Sequence, residues 1–157
     1  MKKPSSELRV MTISYLLRPA TFEDKEFMMG LEKTVFEQFP NVMELFDENR
    51  QKKQYETYFK PDYVFIIEYD SQQIGAASIL FRRKDIFIMY LYVLPEFQDM
   101  GIDRTLIKRV LNRAKRELKP VLTCVFKDDI QAKKMCDGLG FEVFDEDNLR
   151  WRVKWMP

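Results

Sequence analysis

The sequence contains no histidine and only two cysteines, Cys124 and Cys136. The absence of histidine excludes a His-based catalytic triad, His-ligated zinc and an imidazole general base. Two cysteines are too few for an all-cysteine zinc site, and their spacing is not that of a CxxC redox pair. Because both fall in predicted core elements, we expect reduced thiols, as in a cytoplasmic protein.

A long apolar segment and a strong charge of one sign are also missing. The longest apolar run, residues 86–94, is long enough for a buried strand but too short to cross a bilayer as a helix. The 26 basic and 25 acidic side chains give a formal net charge of +1, whereas a general polyanion binder carries a larger positive excess. We therefore expect a soluble protein that binds neither a membrane nor nucleic acid.

The length and the residue pattern predict one domain over residues 1–157, preceded by a loose leader at 1–11. Strand and helix periodicities predict the order βααβββαβαββ. The strands are expected near 12–20, 63–69, 74–82, 85–94, 121–126, 141–144 and 150–155. The helices are expected near 21–39, 42–59, 101–118 and 128–139. The segment 85–94 is apolar on both alternating faces, which is typical of a strand in the middle of a covered sheet. The sequence thus indicates a mixed-sheet domain of the α/β (α+β) class.

The most informative segment runs from Leu91 to Leu106. A buried strand ends at Pro95, a short loop follows, and a helix begins near Gly101. Loop amides and the amino-terminus of the helix then converge beyond the end of the strand, an arrangement that binds phosphate or pyrophosphate. Gly101 lets the backbone approach such a ligand closely.

This segment resembles the GNAT superfamily of acyl-CoA-dependent N-acyltransferases. The family's loop, Gln/Arg-x-x-Gly-x-Gly/Ala, corresponds here to Gln98-Asp-Met-Gly101-Ile-Asp103. A second family pattern, Asn-x-x-Ala-x-x-x-Tyr followed by Gly-Phe, corresponds to the segment from Asp129 to Phe141, with Ala132 and Cys136 at the matching positions. The predicted order of elements resembles the GNAT fold over essentially the whole chain.

The resemblance implies a mostly antiparallel central sheet of about seven strands with about four flanking helices. It implies acetyl-CoA, or another acyl-CoA, as co-substrate without a metal, and direct attack of an amine on the thioester. The expected cofactor contacts are the pantetheine-pairing strand residues Leu91, Tyr92 and Val93, the pyrophosphate-binding residues Gln98, Asp99, Met100, Gly101, Ile102, Asp103 and Arg104, and Asp129 and Lys133 of the second motif.

The chain departs from the family pattern at three positions. Asp103 replaces the preferred Gly or Ala, Asp129 replaces Asn, and Cys136 replaces the tyrosine that protonates the leaving thiolate. Cys136 is a candidate acid because a thiol can donate a proton, although a small buried apolar side chain is the alternative. The central strand carries no carboxylate, so Tyr90 and Tyr92 are candidates to contact substrate or a water chain, with core aromatics as their alternative. Glu96 is a weaker candidate base.

These observations lead to one principal expectation, an N-acetyltransferase that acts on a primary amine of a small molecule or peptide. The alternatives are a catalytically degenerate GNAT domain that senses acyl-CoA or binds a partner, and an interaction domain that no longer binds CoA. Residues 23–50 carry a net charge of −5 and residues 103–119 a net charge of +5. The acidic stretch would favour a cationic acceptor, with a solvated helix face as its alternative. A homodimer is left open.

Overall fold

A seven-stranded sheet organises residues 14–157, which are the residues that the computed structural model describes. The strands are β1 (Leu16–Pro19), β2 (Val64–Tyr69), β3 (Gln72–Phe81), β4 (Ile86–Val93), β5 (Val121–Phe126), β6 (Glu142–Glu146) and β7 (Arg150–Trp155). The helices are α1 (Lys25–Phe36), α2 (Pro40–Glu44), α3 (Glu48–Tyr58), α4 (Ile102–Glu117) and α5 (Ile130–Gly138). The predicted leader 1–11 lies outside the described residues.

The sheet has the order β1-β2-β3-β4-β5-β7-β6, and β4–β5 is its one parallel pair in the described part of the chain. One hydrophobic cluster joins α4 and α5 to one face of the sheet, and a second joins α1 and α2 to the other. Alternate residues of the central strands enter opposite clusters, as Ile66 and Ile67 do on β2. The predicted mixed, mostly antiparallel α/β sheet is therefore confirmed. No helix within residues 14–157 combines the length and apolar character needed to span a membrane.

The predicted helix over 42–59 is two helices in the structure. Residues 45–47 interrupt it, and Asp47 accepts a hydrogen bond from the backbone N–H of Arg50 at 3.1 Å, which caps the start of α3. Pro40 occupies the first position of α2, where its missing N–H leaves no intrahelical hydrogen bond unmade.

The hairpin between β2 and β3 positions the central strand. Asp70 and Ser71 form its two-residue turn with φ values of 50° and 61°, the signs that a twisted hairpin favours. Further along β3, Gly75 lies directly against β4, and a Cβ atom there would overlap the carbonyl oxygen of Tyr92. Glycine at this position therefore lets β3 and β4 approach closely at the residues predicted to contact the cofactor.

A buried carboxylate joins β1, the start of α1 and β3. Asp24 accepts hydrogen bonds from Arg18 at 2.8 and 2.9 Å, from the backbone N–H of Thr21 at 2.8 Å and from Gln73 at 3.1 Å. The hydrogen bonds from Arg18 contribute most to lowering the pKa of Asp24 to about 2, although burial opposes the shift. Because the folded-state pKa lies below the ordinary value, the ionised form stabilises the fold.

Asp24→Asn should lower the free energy of unfolding by about 2 kcal/mol at pH 7, since Arg18 is partly solvated and the loss is smaller than for a fully buried pair. The native stabilisation is complete above the ordinary pKa of 3.8 and is lost as the pH falls through about 2. Urea unfolding at pH 7 and pH 2.5 should therefore show a smaller deficit at the lower pH. The exposed neighbour Glu23→Gln is the control, and equal stabilities of Asp24→Asn and wild type would contradict this account.

Candidate active site

The central feature of the site is an opening between the two parallel strands. β4 and β5 pair only from Ile86 to Ile88 and from Val121 to Thr123. At the last pair, the Thr123 hydroxyl donates to the Ile88 carbonyl at 2.9 Å. Beyond this point residues 89–93 of β4 and 124–126 of β5 continue without pairing to each other, and the space between them is called the strand opening below.

A bulge in β4 lies at the same place. Ile88 pairs with Ile79 and Tyr90 pairs with Ser78, so Met89 has no opposite residue on β3. An extra residue on one strand bends it and increases its twist. The bulge therefore turns β4 where its contact with β5 ends, which accounts for the strand opening.

The predicted cofactor residues surround the carboxyl end of β4. A 3-10 turn spans Pro95–Met100, Gly101 follows in the left-handed region with φ of 72°, and α4 begins at Ile102. Gln98 donates from its side-chain amide to the Val93 carbonyl at 2.9 Å and thereby fastens the turn to β4. Residues 91–93 and 98–104 thus lie together at the carboxyl end of β4, with the side chains of Val93 and Ile102 buried in the core, and their contacts with a cofactor stay a prediction.

Two carboxylates lie at this surface. Asp103 accepts a hydrogen bond from the backbone N–H of Arg104 at 2.8 Å, so its side chain covers one of the amides at the start of α4. Asp129 precedes α5 and accepts from the Ala132 N–H at 3.1 Å. Burial raises the pKa of Asp129, and the negative charge of Asp103 raises it further. The starts of α4 and α5 therefore lie close enough for their carboxylates to interact.

The two other residues predicted from the second motif, Lys133 and Cys136, already contact other parts of the protein. Lys133 forms an ion pair with Asp137 at 2.7 Å, and its ammonium lies 5.2 Å from the centre of the Trp151 ring. Cys136 is only 2% exposed, belongs to the hydrophobic core on the α4–α5 face, and burial raises its pKa to about 12. Neither cysteine forms a disulfide. The environment of Cys136 matches the buried apolar alternative, and its role as an acid stays a prediction.

The candidates Tyr90 and Tyr92 stack on each other, with ring centres 4.7 Å apart. Phe36 of α1 contacts Tyr92 of β4 edge-on at 5.8 Å and Phe126 of β5 at 5.5 Å, so one aromatic ring bridges the two sides of the strand opening. Burial raises the pKa of both tyrosines, and the charge of Glu32 adds to the shift. Both phenols are therefore protonated near neutral pH and can act as hydrogen-bond donors.

Glu32 is the functional candidate that sequence reasoning missed, because it was counted with seven other acids on a solvated stretch. It lies on α1, where Tyr55 of α3 donates to its Oε2 atom at 2.9 Å and Gln51 donates to its Oε1 atom at 3.3 Å. Burial raises the pKa of the Glu32 carboxyl. Its spacing from two buried residues, Met28 and Val35, was the available signal that its side chain turns inward.

The chain between α1 and α2 is attached to both sides of the strand opening. Gln38 and Gln98 exchange side-chain hydrogen bonds of 3.2 and 2.9 Å, which join the end of α1 to the turn after β4. Asn41 of α2 donates to Asp128, which follows β5, at 2.6 and 2.8 Å. Residues 38–41 therefore connect the segments that follow the two parted strands.

Within residues 14–157, no three His, Cys, Asp or Glu side chains are grouped closely enough to hold a metal ion.

Comparison with protein families gives one match, since the model of the acetyltransferase (GNAT) family matches residues 28–141. This range contains β2–β5, the strand opening and the starts of α4 and α5. A comparison with curated protein sequences finds no match.

Solved structures with the same fold are numerous but distant in sequence. The PaiA N-acetyltransferase of Thermoplasma acidophilum, in complex with coenzyme A, has a TM-score of 0.71 and 15% identity, covering 92% of this chain and 100% of that chain. Arabidopsis thaliana Naa50, in complex with the bisubstrate analogue CoA-Ac-MVNAL, has a TM-score of 0.64 and 17% identity, covering 92% of this chain and 100% of that chain. A spermidine N-acetyltransferase SpeG chimera from Vibrio cholerae and hSSAT has a TM-score of 0.64 and 18% identity, covering 90% of this chain and 95% of that chain.

Asp103→Ala should tighten the binding of acetyl-CoA about three- to tenfold, because it frees the Arg104 amide and removes a negative charge worth about 1 kcal/mol against a phosphate at 4 Å in water. Asp103→Asn should give a smaller gain, because it removes the charge but keeps an acceptor for the amide. Titration calorimetry measures both dissociation constants. Unchanged affinity in both variants would show that Asp103 points away from the bound cofactor.

Proposed function

Since this chain belongs to the acetyltransferase (GNAT) family, we propose that it is an N-acetyltransferase that transfers an acetyl group from acetyl-CoA to a primary amine. The strand opening is the observation that carries the proposal. It leaves the edge of β4 facing β5 unpaired over residues 89–93, directly before the turn that leads into α4.

The residues around the strand opening fit a CoA thioester. Strand backbone at residues 91–93 has no partner strand on the β5 side, so its polar groups there, apart from the Val93 carbonyl that accepts from Gln98, are available to the amides of the pantetheine arm. No atom lies within 4 Å of the position that a Cβ on Gly101 would occupy, so a diphosphate could approach this backbone at the start of α4. Leu91, Val93 and Gly101 are accordingly the residues expected to hold the co-substrate, which supplies the activated acetyl group.

The reaction needs no enzyme nucleophile. The neutral amine attacks the thioester carbonyl and the C–N bond forms. The C–S bond then breaks, the nitrogen loses one proton and the departing thiolate accepts one, so that the products are the N-acetylated amine and CoA. Tyr90 and Tyr92 supply protonated hydroxyl groups on the acceptor side of β4, and Cys136 is the candidate donor to the thiolate. With its pKa near 12, the Cys136 thiol remains protonated and can donate a hydrogen bond to the leaving sulfur.

The class of acceptor is proposed from the residues around the strand opening and from the distantly related structures. The spermidine enzyme is named for a small polyamine, and the Naa50 complex holds a peptide-like bisubstrate analogue. A primary amine of a small molecule or a peptide is therefore the acceptor that we propose.

A second candidate function is the binding of acyl-CoA without turnover, as in a sensor. It is favoured by Asp103, whose carboxylate covers the Arg104 amide, and by a buried cysteine at the position of the family's proton-donating tyrosine.

Titration calorimetry with acetyl-CoA followed by a CoA-release assay separates the two candidates. The assay uses a panel of polyamines, amino acids, aminoglycosides and short peptides with free amino-termini. A transferase binds acetyl-CoA saturably and releases CoA with at least one amine. Binding without release from any amine supports the sensor, and a lack of binding contradicts both.

Cys136→Ala should lower kcat about tenfold with little change in the KM for acetyl-CoA, because the leaving thiolate would lose a donor. Cys136→Ser keeps a donor of similar size and should retain more of the wild-type kcat. Steady-state kinetics on folded variants measures both values. Wild-type kcat in Cys136→Ala would assign the residue to packing alone.

A further inference from the structure

We propose that Glu32 receives the ammonium group of the acceptor amine, an assignment that rests on the proposed transferase function. The carboxylate lies where α1, α3 and β4 meet. Tyr55 and Gln51 hold its two oxygen atoms from α3, and the Gln51 amide is itself oriented by the Met29 carbonyl at 3.0 Å. The carboxylate therefore has a fixed position between the helices.

The carboxylate has no cationic partner among the described residues. The neighbouring Lys33 pairs with Glu48 at 2.9 Å. The groups that act on the Glu32 charge are Tyr55 and Gln51, and neither carries a positive charge near neutral pH. A partly buried negative charge without a counter-ion is costly, so a cation that enters this site gains more from the ion pair than it would at the surface.

Aromatic rings complete the surroundings of the carboxylate. The charge of Glu32 raises the pKa of Tyr55, Tyr90 and Tyr92, which shows that it acts on all three phenols. From β7, the charge of Arg150 acts on Tyr92 in the opposite direction. Tyr90 and Tyr92 stack into one aromatic pair on β4, the strand that α1 packs against, and an ammonium group is attracted both to a carboxylate and to aromatic rings. This combination selects a primary ammonium over a neutral alcohol of the same shape.

The position of Glu32 suits an acceptor that approaches the strand opening. One helical turn further along α1, Phe36 contacts Tyr92 of β4 and Phe126 of β5. Glu32 therefore belongs to the α1 face of the sheet, whereas α4 packs on the opposite face. An amine bound at Glu32 would reach the strand opening from one face, while the cofactor phosphates would lie at the start of α4.

The contact between Glu32 and the ammonium group also allows Glu32 to remove a proton from the amine. In the ion pair, a proton moves from the ammonium nitrogen to a Glu32 oxygen, which leaves the nitrogen lone pair free to attack the thioester and leaves Glu32 as a neutral acid. The proton passes to solvent after the product leaves. Because burial raises the pKa of Glu32, the carboxylate is a better proton acceptor than an exposed glutamate.

The direct test measures the binding of butylamine hydrochloride to wild type, Glu32→Gln and Glu26→Gln by NMR titration. Glu26 is an exposed residue of the same helix, so its variant is the matched control. We expect at least tenfold weaker butylammonium binding in Glu32→Gln and wild-type affinity in Glu26→Gln. Butanol, which carries no charge, should bind wild type and Glu32→Gln equally. Equal affinity of wild type and Glu32→Gln, or no measurable binding to wild type, would overturn the proposal.

Melting temperatures show whether Glu32→Gln remains folded, and Glu32→Asp provides a second variant for the binding test. Because the folded-state pKa of Glu32 is raised, the ionised carboxylate destabilises the fold above that pKa, and the penalty disappears below the ordinary value of 4.5. Glu32→Gln should therefore melt at a higher temperature than wild type at pH 7, with a smaller gain at pH 4. A large loss of stability at pH 7 would indicate a structural carboxylate instead. Glu32→Asp, which keeps the charge, should retain part of the butylammonium affinity.

Turnover adds a pH-dependent readout. Tyr55 donates to the ionised carboxylate and lowers its pKa, so Tyr55→Phe should move the acidic limb of the kcat/KM profile to higher pH. An unshifted limb in Tyr55→Phe would count against Glu32.

The results also separate this proposal from the proposed function. Glu32-dependent butylammonium binding without CoA release from any amine would contradict the transferase and support the ammonium site. CoA release that is equal in wild type and Glu32→Gln would support the transferase and overturn the ammonium site.

Discussion

The parting of β4 from β5 is the constraint on which the rest of the structure depends. Three pairs of residues hold the two parallel strands together, and the Thr123–Ile88 hydrogen bond marks the last of them. Unpaired strand edges inside a protein leave costly polar groups, so such an opening persists only where other contacts maintain it. The Met89 bulge turns β4, and residues 38–41 attach to the segment after each strand. The fold therefore holds open a backbone edge that a ligand with its own amides can pair with.

The two faces of the sheet carry different charged groups beside the strand opening. On the α4–α5 face, backbone amides at the helix starts favour an anion, while Asp103 and Asp129 oppose it. On the α1 face, Glu32 lies among protonated tyrosines without a counter-ion in the described part of the chain. An anionic co-substrate and a cationic acceptor would thus meet the protein from opposite sides. The overall charge of +1 conceals this division, since it averages an acidic and a basic stretch.

Local patterns predicted much of the fold and only part of the site. The bounds of β5 and β7 follow from alternation, and the start of α4 next to Gly101 follows from the loop motif. The split between α2 and α3 escaped prediction because one side-chain cap, Asp47, outweighs continuous helical periodicity. The parting of β4 and β5 depends on pairing between distant segments, which neither strand encodes alone. Glu32 was missed because its burial is created by α3 and β4, while the one signal within α1, its spacing from Met28 and Val35, was outweighed by the exposed acids around it.

A crystal structure of the protein with acetyl-CoA bound tests the central claim most directly. The account predicts that the pantetheine arm lies in the strand opening and pairs with residues 91–93. The diphosphate should lie at the start of α4, and the thioester should face Tyr90 and Tyr92. A cofactor bound elsewhere on the surface, or a strand opening filled by the protein's own side chains at saturating acetyl-CoA, would contradict it.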